Sequence, residues 1–317
     1  MTLKVFAPAS IGNVSVGFDV LGMAVQPISG ELLGDVVSIK KSHTGQNELS
    51  VRGEFADKLP QNSEQNIVWQ CMLSFNQKLV LAGKTVEAVS LELDKKMPVG
   101  SGLGSSACSV VAALVALNEY YQKVFTKPQL LHLMGQMEAK ISGSLHYDNV
   151  APCYLGGMQM MVSDKDIISQ SIPPLKNTYW LMAYPGIKMS TKEARDVLPS
   201  HYSRSDLIKF GQSLASFIDA CHRGNNAQAL SYIEDVVAEP YRATLLPKFS
   251  QTKHYLLQHG AKAAGISGSG PTLFAVCDDL SIAQTLCQYL EAEYLQSEQG
   301  FLHTCQIDMQ GARVIEE

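Results

Sequence analysis

The order of hydrophobic and polar positions along the chain predicts a mixture of short strands and amphipathic helices. Apolar residues at helical spacing predict a helix over Ile67–Phe75, and apolar residues at alternate positions predict a strand over Val86–Leu93. The same reasoning predicts strands at 3–8, 34–39, from 50, 158–162, 179–184, 273–277 and 302–308, and helices at 107–121, 127–142, 205–223, 226–238, 253–260 and 281–294. The early strands follow one another like hairpins, which favours the α+β class over a doubly wound parallel sheet.

Length and composition predict a globular protein of two domains. The chain has 317 residues, of which 46% are hydrophobic and 17% are charged, and this size is enough for two domains of ordinary dimensions. Charged residues at 164–166 and the pair Pro173-Pro174 fall between apolar strands, as linker residues do. We therefore expect a domain at 1–166 and a second at 167–317.

Charge and cysteine content narrow the classes of partner and compartment. The net charge of −5 argues against nucleic acid or an anionic membrane as the main partner. No apolar run reaches the ~18 residues that a membrane-spanning helix needs. Seven cysteines occur without a C-x-x-C pair, which indicates reduced thiols in a cytoplasmic protein rather than a disulfide framework or a zinc site.

One glycine-rich stretch, Pro98–Ala107, indicates an anion-binding loop. Its sequence PVGSGLGSSA leads directly into small apolar residues that predict a buried helix. Such a loop brings the unpaired N–H groups of a helix N-terminus towards a ligand, and Ser101, Ser105 and Ser106 add hydroxyl groups for phosphate or metal. The stretch matches neither the Walker A motif nor G-x-G-x-x-G. Without further context, a simple Gly/Ser loop explains it equally well.

Polar residues gather in two other glycine-rich stretches and beside one helix. Residues 8–22 carry Asn13 and Asp19, which by pattern alone are more simply turn residues. Residues 265–272 form another glycine-rich turn. His146, Asp148 and Asn149 form a dense polar turn of their own. Glu138 interrupts an apolar helix, where an isolated carboxylate is costly and predicts a cation or a lysine as its partner.

Three glycine-rich stretches in this order resemble the GHMP kinases. Residues 7–19, 143–152, 190–195 and 239–242 are similar to the homoserine kinase branch of that superfamily, so the resemblance spans nearly the whole chain. It implies an N-terminal domain like the second domain of ribosomal protein S5, a ferredoxin-like C-terminal domain, and a site in the cleft between them. It also implies ATP-dependent phosphorylation of the hydroxyl of L-homoserine, a step towards threonine, by a homodimer.

The resemblance assigns roles to residues of this chain. The ATP-binding set is Pro98, Val99, Gly100, Ser101, Gly102, Leu103, Gly104, Ser105, Ser106, Ala107 and Cys108, with Asn66 and Lys95. The Mg²⁺ ligands are Ser106 and Glu138. The substrate ammonium is assigned to Asn13 and Asp19, the carboxylate to Arg195 and Arg242, and the hydroxyl end to His146 and Asn149. The residues assigned to catalysis are Asn149, His146 and Glu138.

Two questions stay open at this level. Some relatives place an aspartate near Asn149, so either Asp148 acts as the general base or the hydroxyl proton passes directly to a phosphate oxygen. A loose transition state favours the second route. The activity also has rivals: a GHMP enzyme for a sugar or a mevalonate derivative, and a nucleotide-binding sensor without catalysis. The presence of Glu138, Ser105 and Ser106 argues against a sensor.

Overall fold

The computed structural model describes residues 2–164 and 166–316. Its strands are β1 Leu3–Pro8, β2 Ser10–Gly12, β3 Leu21–Pro27, β4 Gly34–Lys41, β5 Glu48–Arg52, β6 Val89–Asp94, β7 Met158–Met161, β8 Ser169–Ile172, β9 Tyr179–Tyr184, β10 Ala263–Ile266, β11 Leu273–Cys277, β12 Phe301–Ile307 and β13 Arg313–Ile315. Its helices are α1 Ile67–Leu81, α2 Ser105–Tyr120, α3 Lys127–Ser142, α4 Val150–Leu155, α5 Thr191–Asp196, α6 Arg204–His222, α7 Asn226–Ser231, α8 Glu239–Arg242, α9 Phe249–Gln258 and α10 Leu280–Glu293. Short 3₁₀ turns lie at Ala56–Lys58, Ser63–Gln65 and Ala243–Leu245.

The first sheet carries the helix that follows the glycine-rich loop. Its strand order is β13-β1-β4-β6-β5, and α2 packs across β1 and β4 with α1 and α3 beside it. Helix α2 is apolar around its whole circumference, and residues 107–118 are all buried. A helix with this pattern has to be enclosed on every side, so the N-terminal end of α2 is held in a fixed position against the sheet.

The second sheet contains a ferredoxin-like unit, as predicted. Strands β12-β9-β11-β10 are antiparallel neighbours, helices α5–α9 connect β9 to β10, and α10 connects β11 to β12. This is the α+β arrangement that the sequence predicted. The sheet continues through β3, β7 and β8, because β3 pairs with β12. The last strand, β13, in turn pairs with β1 in the first sheet.

The tertiary structure therefore links the two halves of the chain through both sheets. The division at 166/167 stays a prediction, and Lys165 in the predicted linker lies outside the described residues. Strand β3 falls partly in a stretch that the sequence indicated to be an irregular loop. Its partners are far away along the chain, so local periodicity could not reveal it.

One predicted helix is wrong in its extent. The helix expected at 226–238 ends at Ser231, and the following Glu-Pro-Tyr-Arg segment begins α8 instead of only breaking a helix. The Asp235 carboxylate explains the new start, since it accepts hydrogen bonds from the N–H groups of Val237, Ala238 and Glu239. A side chain that caps three N–H groups in this way favours a helix N-terminus. Among the described residues, no helix is long and apolar enough to cross a membrane.

Candidate active site

The three glycine-rich stretches meet around one cavity of about 470 Å³. The glycine-rich turn at 265–272 contacts both of the others. The Gly268 N–H donates to the Gly12 carbonyl at 3.2 Å, and the Ser267 hydroxyl donates to the Gly102 carbonyl at 2.7 Å. The turn thus packs over the first motif, as expected, and also over the Pro98–Ala107 loop.

The loop between β6 and α2 forms a narrow cradle at the N-terminus of α2. Gly102 has φ +80°, and a β-carbon there would lie 2.4 Å from the Ser267 carbonyl oxygen. Gly104 has φ +66°, and its β-carbon would lie 2.2 Å from Ser10 Oγ. Only glycine fits such close approaches with positive φ. With glycine preceding Ser105, no side chain caps α2, although Gly104, Ser105 and Ser106 line the cavity. Uncapped N–H groups at a helix N-terminus are suited to bind an anion.

The predicted ATP-binding loop residues divide into two groups. Those that line the cavity are Val99, Gly100, Ser101, Gly102, Gly104, Ser105 and Ser106. The side chains of Pro98, Leu103, Ala107 and Cys108 are buried and do not line it. Among the serines, Ser105 donates its hydroxyl to the Met97 carbonyl, and Ser101 Oγ accepts from the Leu103 N–H. Their hydroxyls stabilise the loop itself.

Ser106 and Glu138 form the oxygen pair that the sequence predicted for a metal. The Ser106 hydroxyl donates to Glu138 Oε1 at 2.6 Å, across the contact between α2 and α3. Burial raises the pKa of the Glu138 carboxyl above its ordinary value, while the Ser106 hydrogen bond and the Lys95 charge lower it in part. A cation beside this pair would favour the ionised carboxylate.

Lys95 lines the cavity, but its ammonium group is already engaged. Its Nζ donates to Asp35 Oδ2 at 2.6 Å, to the Ser105 carbonyl at 2.9 Å and to Ser109 Oγ at 3.0 Å. These three bonds use all the donors of an ammonium group. The observed geometry thus assigns Lys95 to an internal ion pair and leaves no donor for the predicted phosphate contact.

Asn66 also lines the cavity. Its Oδ1 caps α1 by accepting from the Val68 N–H at 2.9 Å. Its buried Nδ2 has no hydrogen-bond partner among the residues that the structure describes. A buried amide N–H without a partner is costly, so this position fits a polar ligand group, as predicted for the nucleotide.

A charged cluster lies in another part of the cavity wall. Arg195 NH1 and NH2 donate to the two carboxylate oxygens of Asp19 at 3.2 and 3.0 Å. His146 Nδ1 lies 3.6 Å from Asp19 Oδ1. Burial is the main reason that the pKa of His146 is lowered, with Asp19 raising it and Arg195 lowering it further. The imidazole is therefore neutral at pH 7, between a carboxylate and a guanidinium.

Asn13 and Arg242 bond to the backbone around this cluster. The sequence indicated only that they would contact the substrate directly. Asn13 Oδ1 accepts from the Asp19 N–H at 2.9 Å, and its Nδ2 donates to the Gly268 carbonyl at 3.2 Å. Arg242 is buried and donates to the carbonyls of Ala194 and Gly268 at 2.8 and 3.0 Å. The guanidinium groups of Arg195 and Arg242 both lie over the Phe18 ring, a contact that the sequence did not predict.

Asp148 and Asn149 lie in the cavity wall as a hydrogen-bonded pair. Asn149 Oδ1 accepts from the Ser10 hydroxyl at 2.9 Å, and Asn149 Nδ2 donates to Asp148 Oδ2 at 3.2 Å. Burial, together with the charges of Asp19 and Glu138, raises the pKa of Asp148 from 3.8 to about 7, although Arg195 opposes the rise. This carboxyl exchanges a proton near neutral pH, which is the chemical property of a general base.

Comparison with known proteins defines the class of this site. Residues 66–157 match the GHMP kinases N terminal domain, and residues 215–296 match the GHMP kinases C terminal domain. The chain is 31% identical to a homoserine kinase from Cytophaga hutchinsonii, with 99% of this chain and 97% of that chain covered and a TM-score of 0.88.

Two more distant structures share the fold. A putative homoserine kinase from Listeria monocytogenes is 21% identical, with 99% of this chain and 100% of that chain covered and a TM-score of 0.71. The Methanococcus jannaschii mevalonate kinase is 16% identical, with coverages of 97% and 98% and a TM-score of 0.68. The protein is a phosphotransferase with the two-domain GHMP kinase fold. It belongs to the GHMP kinases.

The residues of the cavity fit the nucleotide that GHMP kinases use. The glycine cradle at the N-terminus of α2 fits phosphate, and the unpartnered Nδ2 of Asn66 fits a polar group of ATP. No group of three or more His, Cys, Asp or Glu side chains that would hold a metal occurs in the described ranges. Ser106 and Glu138 would offer two hard oxygen atoms, which fits Mg²⁺ because that ion commonly takes its other ligands from phosphates and water.

Proposed function

We propose that this enzyme is a homoserine kinase, which transfers the terminal phosphoryl group of ATP to the side-chain hydroxyl of L-homoserine. The observation that carries the proposal is the Asp19–Arg195 ion pair, with His146 beside it, in the same cavity as the glycine cradle. An acceptor with both an ammonium and a carboxylate complements a carboxylate and a guanidinium held side by side. The 31% identity to the C. hutchinsonii homoserine kinase supports the same substrate.

The acceptor end is built to bind a zwitterion. Arg195 keeps further N–H donors beyond its two bonds to Asp19, and a guanidinium binds a carboxylate in a bidentate fork. Asp19 offers its carboxylate to the substrate ammonium. Neutral His146 carries no charge of its own, so it lines the site without competing for either charged group. A sugar or a mevalonate derivative carries no ammonium and leaves Asp19 without a partner on the substrate.

At the phosphate end, the protein orients groups and balances charge. The loop backbone and the N-terminus of α2 would hold the phosphates, and Ser106 with Glu138 would hold Mg²⁺. When bound, that ion supplies neutralisation of the phosphate charge. Phosphoryl transfer needs positioning and charge stabilisation more than covalent chemistry by the protein. The hydroxyl proton then passes directly to a phosphate oxygen, with Asp148 as the alternative acceptor.

A substrate panel tests the proposal. With Mg-ATP in a coupled assay of ADP release, we expect turnover with L-homoserine and at most about 1% of that kcat/KM with L-serine, L-threonine, mevalonate or galactose. Mevalonate and galactose lack the ammonium, and an unpaired charge in the site costs several kcal/mol. L-Serine and L-threonine keep both charged groups but carry the hydroxyl one carbon closer to them, so it is misplaced for transfer. Galactose or mevalonate as the best acceptor would contradict the proposal while keeping the kinase class. ATP binding without turnover on any compound would instead support the sensor alternative.

Asp148→Asn separates the two proton routes and reports on stability. We expect kcat to fall by less than about tenfold, because direct transfer to phosphate needs no protein base. The variant should also be more stable at pH 8, by about 2 °C or more in Tm. The sign follows from the pKa: the folded carboxyl ionises near pH 7 and the unfolded one near 3.8, so wild-type stability falls as pH rises through that range.

The matched control for Asp148→Asn is Glu298→Gln, an exposed carboxylate. Its Tm should follow wild type at both pH 4 and pH 8. A fall in kcat above about 10³-fold, with folding intact, would establish Asp148 as the base, because that is the range of general-base contributions. A Tm gain for Asp148→Asn that is equal at pH 4 and pH 8 would refute the raised pKa.

We further propose that the enzyme acts in the cytoplasm as a homodimer, on the route to threonine. The support is the sequence resemblance together with the unpaired, mostly buried cysteines. Sedimentation velocity measures the oligomeric state, and a monomer at micromolar concentration would contradict the dimer. Complementation of a threonine-requiring strain that lacks homoserine kinase tests the metabolic role.

A further inference from the structure

A buried polar network lies directly beneath the Pro98–Ala107 loop. Its centre is Asp35 on β4, whose side chain is completely inaccessible to solvent. Asp35 Oδ1 accepts from the N–H groups of Lys96 and Met97, both at 3.0 Å. Its Oδ2 accepts from Lys95 Nζ and from the Ser109 hydroxyl, both at 2.6 Å.

This network joins the two ends of the loop to one carboxylate. Lys96 and Met97 stand where the chain leaves β6 and enters the loop. Ser109 lies in the second turn of α2, and the Lys95 ammonium donates to the Ser105 carbonyl in the first turn. The Ser105 hydroxyl links the two ends of the loop directly by donating to the Met97 carbonyl at 3.1 Å. The separation of the loop ends, and therefore the shape of the phosphate cradle, depends on Asp35.

We propose that Asp35, acting through Lys95 and Ser109, is a positioning residue for the phosphate-binding loop. Stability alone does not account for such an ion pair, since apolar residues of the same size commonly stabilise a fold as well or better. The network does what apolar packing cannot, because it fixes backbone N–H and carbonyl groups on both sides of the loop in one orientation. A ligand that is held by backbone groups is sensitive to misplacements of about 1 Å.

The charge balance at the N-terminus of α2 leads to the same conclusion. The Lys95 ammonium lies close to that terminus and would add a full positive charge beside the partial charge of the helix. Asp35 neutralises it. The attraction for phosphate therefore comes from the oriented N–H groups of the loop and helix, with Lys95 as part of the scaffold. This separates the loop from P-loop enzymes, in which a lysine contacts the phosphates.

The chain contains a closely matched control elsewhere. Asp308 is also completely buried, its Oδ1 accepts from the N–H groups of Gln310 and Gly311, and its Oδ2 pairs with Arg313 at 2.8 Å. Neither Asp308 nor Arg313 lines the cavity. Asp308→Asn and Asp35→Asn thus remove the same kind of buried charge, but only one of them lies beneath the loop.

Calorimetric titration with Mg-ADP tests the proposal without an acceptor, so it rests on membership of the GHMP kinases and not on homoserine as the substrate. We expect Asp35→Asn to raise the Kd about 10- to 100-fold and Asp308→Asn to leave it within about twofold, while both variants lose thermal stability. If Asp35→Asn bound Mg-ADP with the same Kd as Asp308→Asn, the proposal would be overturned.

Two more variants separate a positioning role for Asp35 from a purely structural one. Asp35→Asn combined with Lys95→Met removes the unpaired buried charge, so we expect it to regain stability relative to Asp35→Asn alone yet keep the weak binding of Mg-ADP. If the double variant recovered both stability and Mg-ADP affinity, the Asp35–Lys95 pair would have only a structural role. If Asp35→Asn fails to fold, Ser109→Ala decides the question: a folded variant with raised Kd supports the proposal, and a wild-type Kd overturns it.

Discussion

Replacing Arg195 by methionine is expected to lower kcat/KM for L-homoserine about 100- to 1,000-fold, mostly through KM, while the KM for ATP stays near that of wild type. The side chain keeps its length but loses the guanidinium, which holds Asp19 through two hydrogen bonds of 3.0 and 3.2 Å. Each hydrogen bond to a charged group contributes about 1.5–3 kcal/mol. Loss of the fork also leaves the Asp19 carboxylate without its partner in a half-buried site.

Substrates that lack one charged group make this prediction specific. 3-Aminopropan-1-ol lacks the carboxylate of homoserine. Wild type should therefore use 3-aminopropan-1-ol about as poorly as Arg195→Met uses L-homoserine. For Arg195→Met, the change from L-homoserine to 3-aminopropan-1-ol should lower kcat/KM little further. 4-Hydroxybutyrate lacks the ammonium, so wild type should use it about as poorly as Asp19→Asn uses L-homoserine. For Asp19→Asn, the change to 4-hydroxybutyrate should lower kcat/KM little further. This crossed design measures each contact as a coupling energy rather than as a simple loss of activity.

Arg195→Lys and Arg223→Met serve as controls. Lysine keeps the charge but not the planar fork, so it should restore only part of the activity. Arg223 is exposed and pairs with Asp219 on α6, and its replacement should leave both KM values unchanged. A wild-type KM for L-homoserine in Arg195→Met would contradict the assigned role and direct attention to Arg242.

Replacing Glu138 by glutamine is expected to lower kcat about 10³-fold without loss of stability. Glutamine keeps the shape of the side chain and can still accept the Ser106 hydrogen bond, but it removes the negative charge from the predicted metal site. Loss of a charge-stabilising group commonly costs about 10²- to 10³-fold. Because burial raises the pKa of Glu138 above its ordinary value of 4.5, wild-type stability falls as pH rises from 4.5 through the raised pKa. The neutral variant should therefore have an equal or higher Tm at neutral pH.

The dependence of rate on Mg²⁺ concentration distinguishes a metal ligand from a residue that only packs. Glu138→Gln should need a higher Mg²⁺ concentration for half-maximal rate, and Ser106→Ala should show the same shift with a smaller loss. Glu119→Gln, at the other end of α2, is the control and should behave as wild type. An unchanged Mg²⁺ requirement in both Ser106→Ala and Glu138→Gln would rule out the proposed ligand pair.

Much of the phosphate end could be predicted from the sequence, because its information is local. A glycine-rich loop that runs into an all-apolar helix specifies both the turn and the helix N-terminus within about twenty consecutive residues. Glu138 also stands out locally, as a carboxylate in an apolar helix. The structure adds that Ser101 and Ser105 stabilise the loop, which residue type alone does not show, since a hydroxyl bonds equally well to a ligand or to the backbone.

The acceptor end and the support of the loop depended on contacts between distant parts of the chain. Asp35 is an ordinary strand residue in the sequence, and its link to Lys95 joins positions 60 residues apart. This pairing explains why the sequence-based assignment of Lys95 to phosphate does not fit the observed geometry. A propensity or a period describes neighbours within a turn or a strand, so it carries no information on which buried charges will meet.

Local patterns in the sequence by themselves determined the α+β class and the glycine-rich loop, and local motifs determined the family. The ferredoxin-like unit followed from the resemblance to that family. Only the tertiary structure decided that Asp19 pairs with Arg195, 176 positions away. It also decided that β3 and β13 pair with strands from the other half of the chain. Finally, it decided that Arg242 donates two hydrogen bonds to backbone carbonyls. The physical reason is that packing of the core fixes these long-range pairs, and each buried charge takes whichever partner the folded backbone brings within reach.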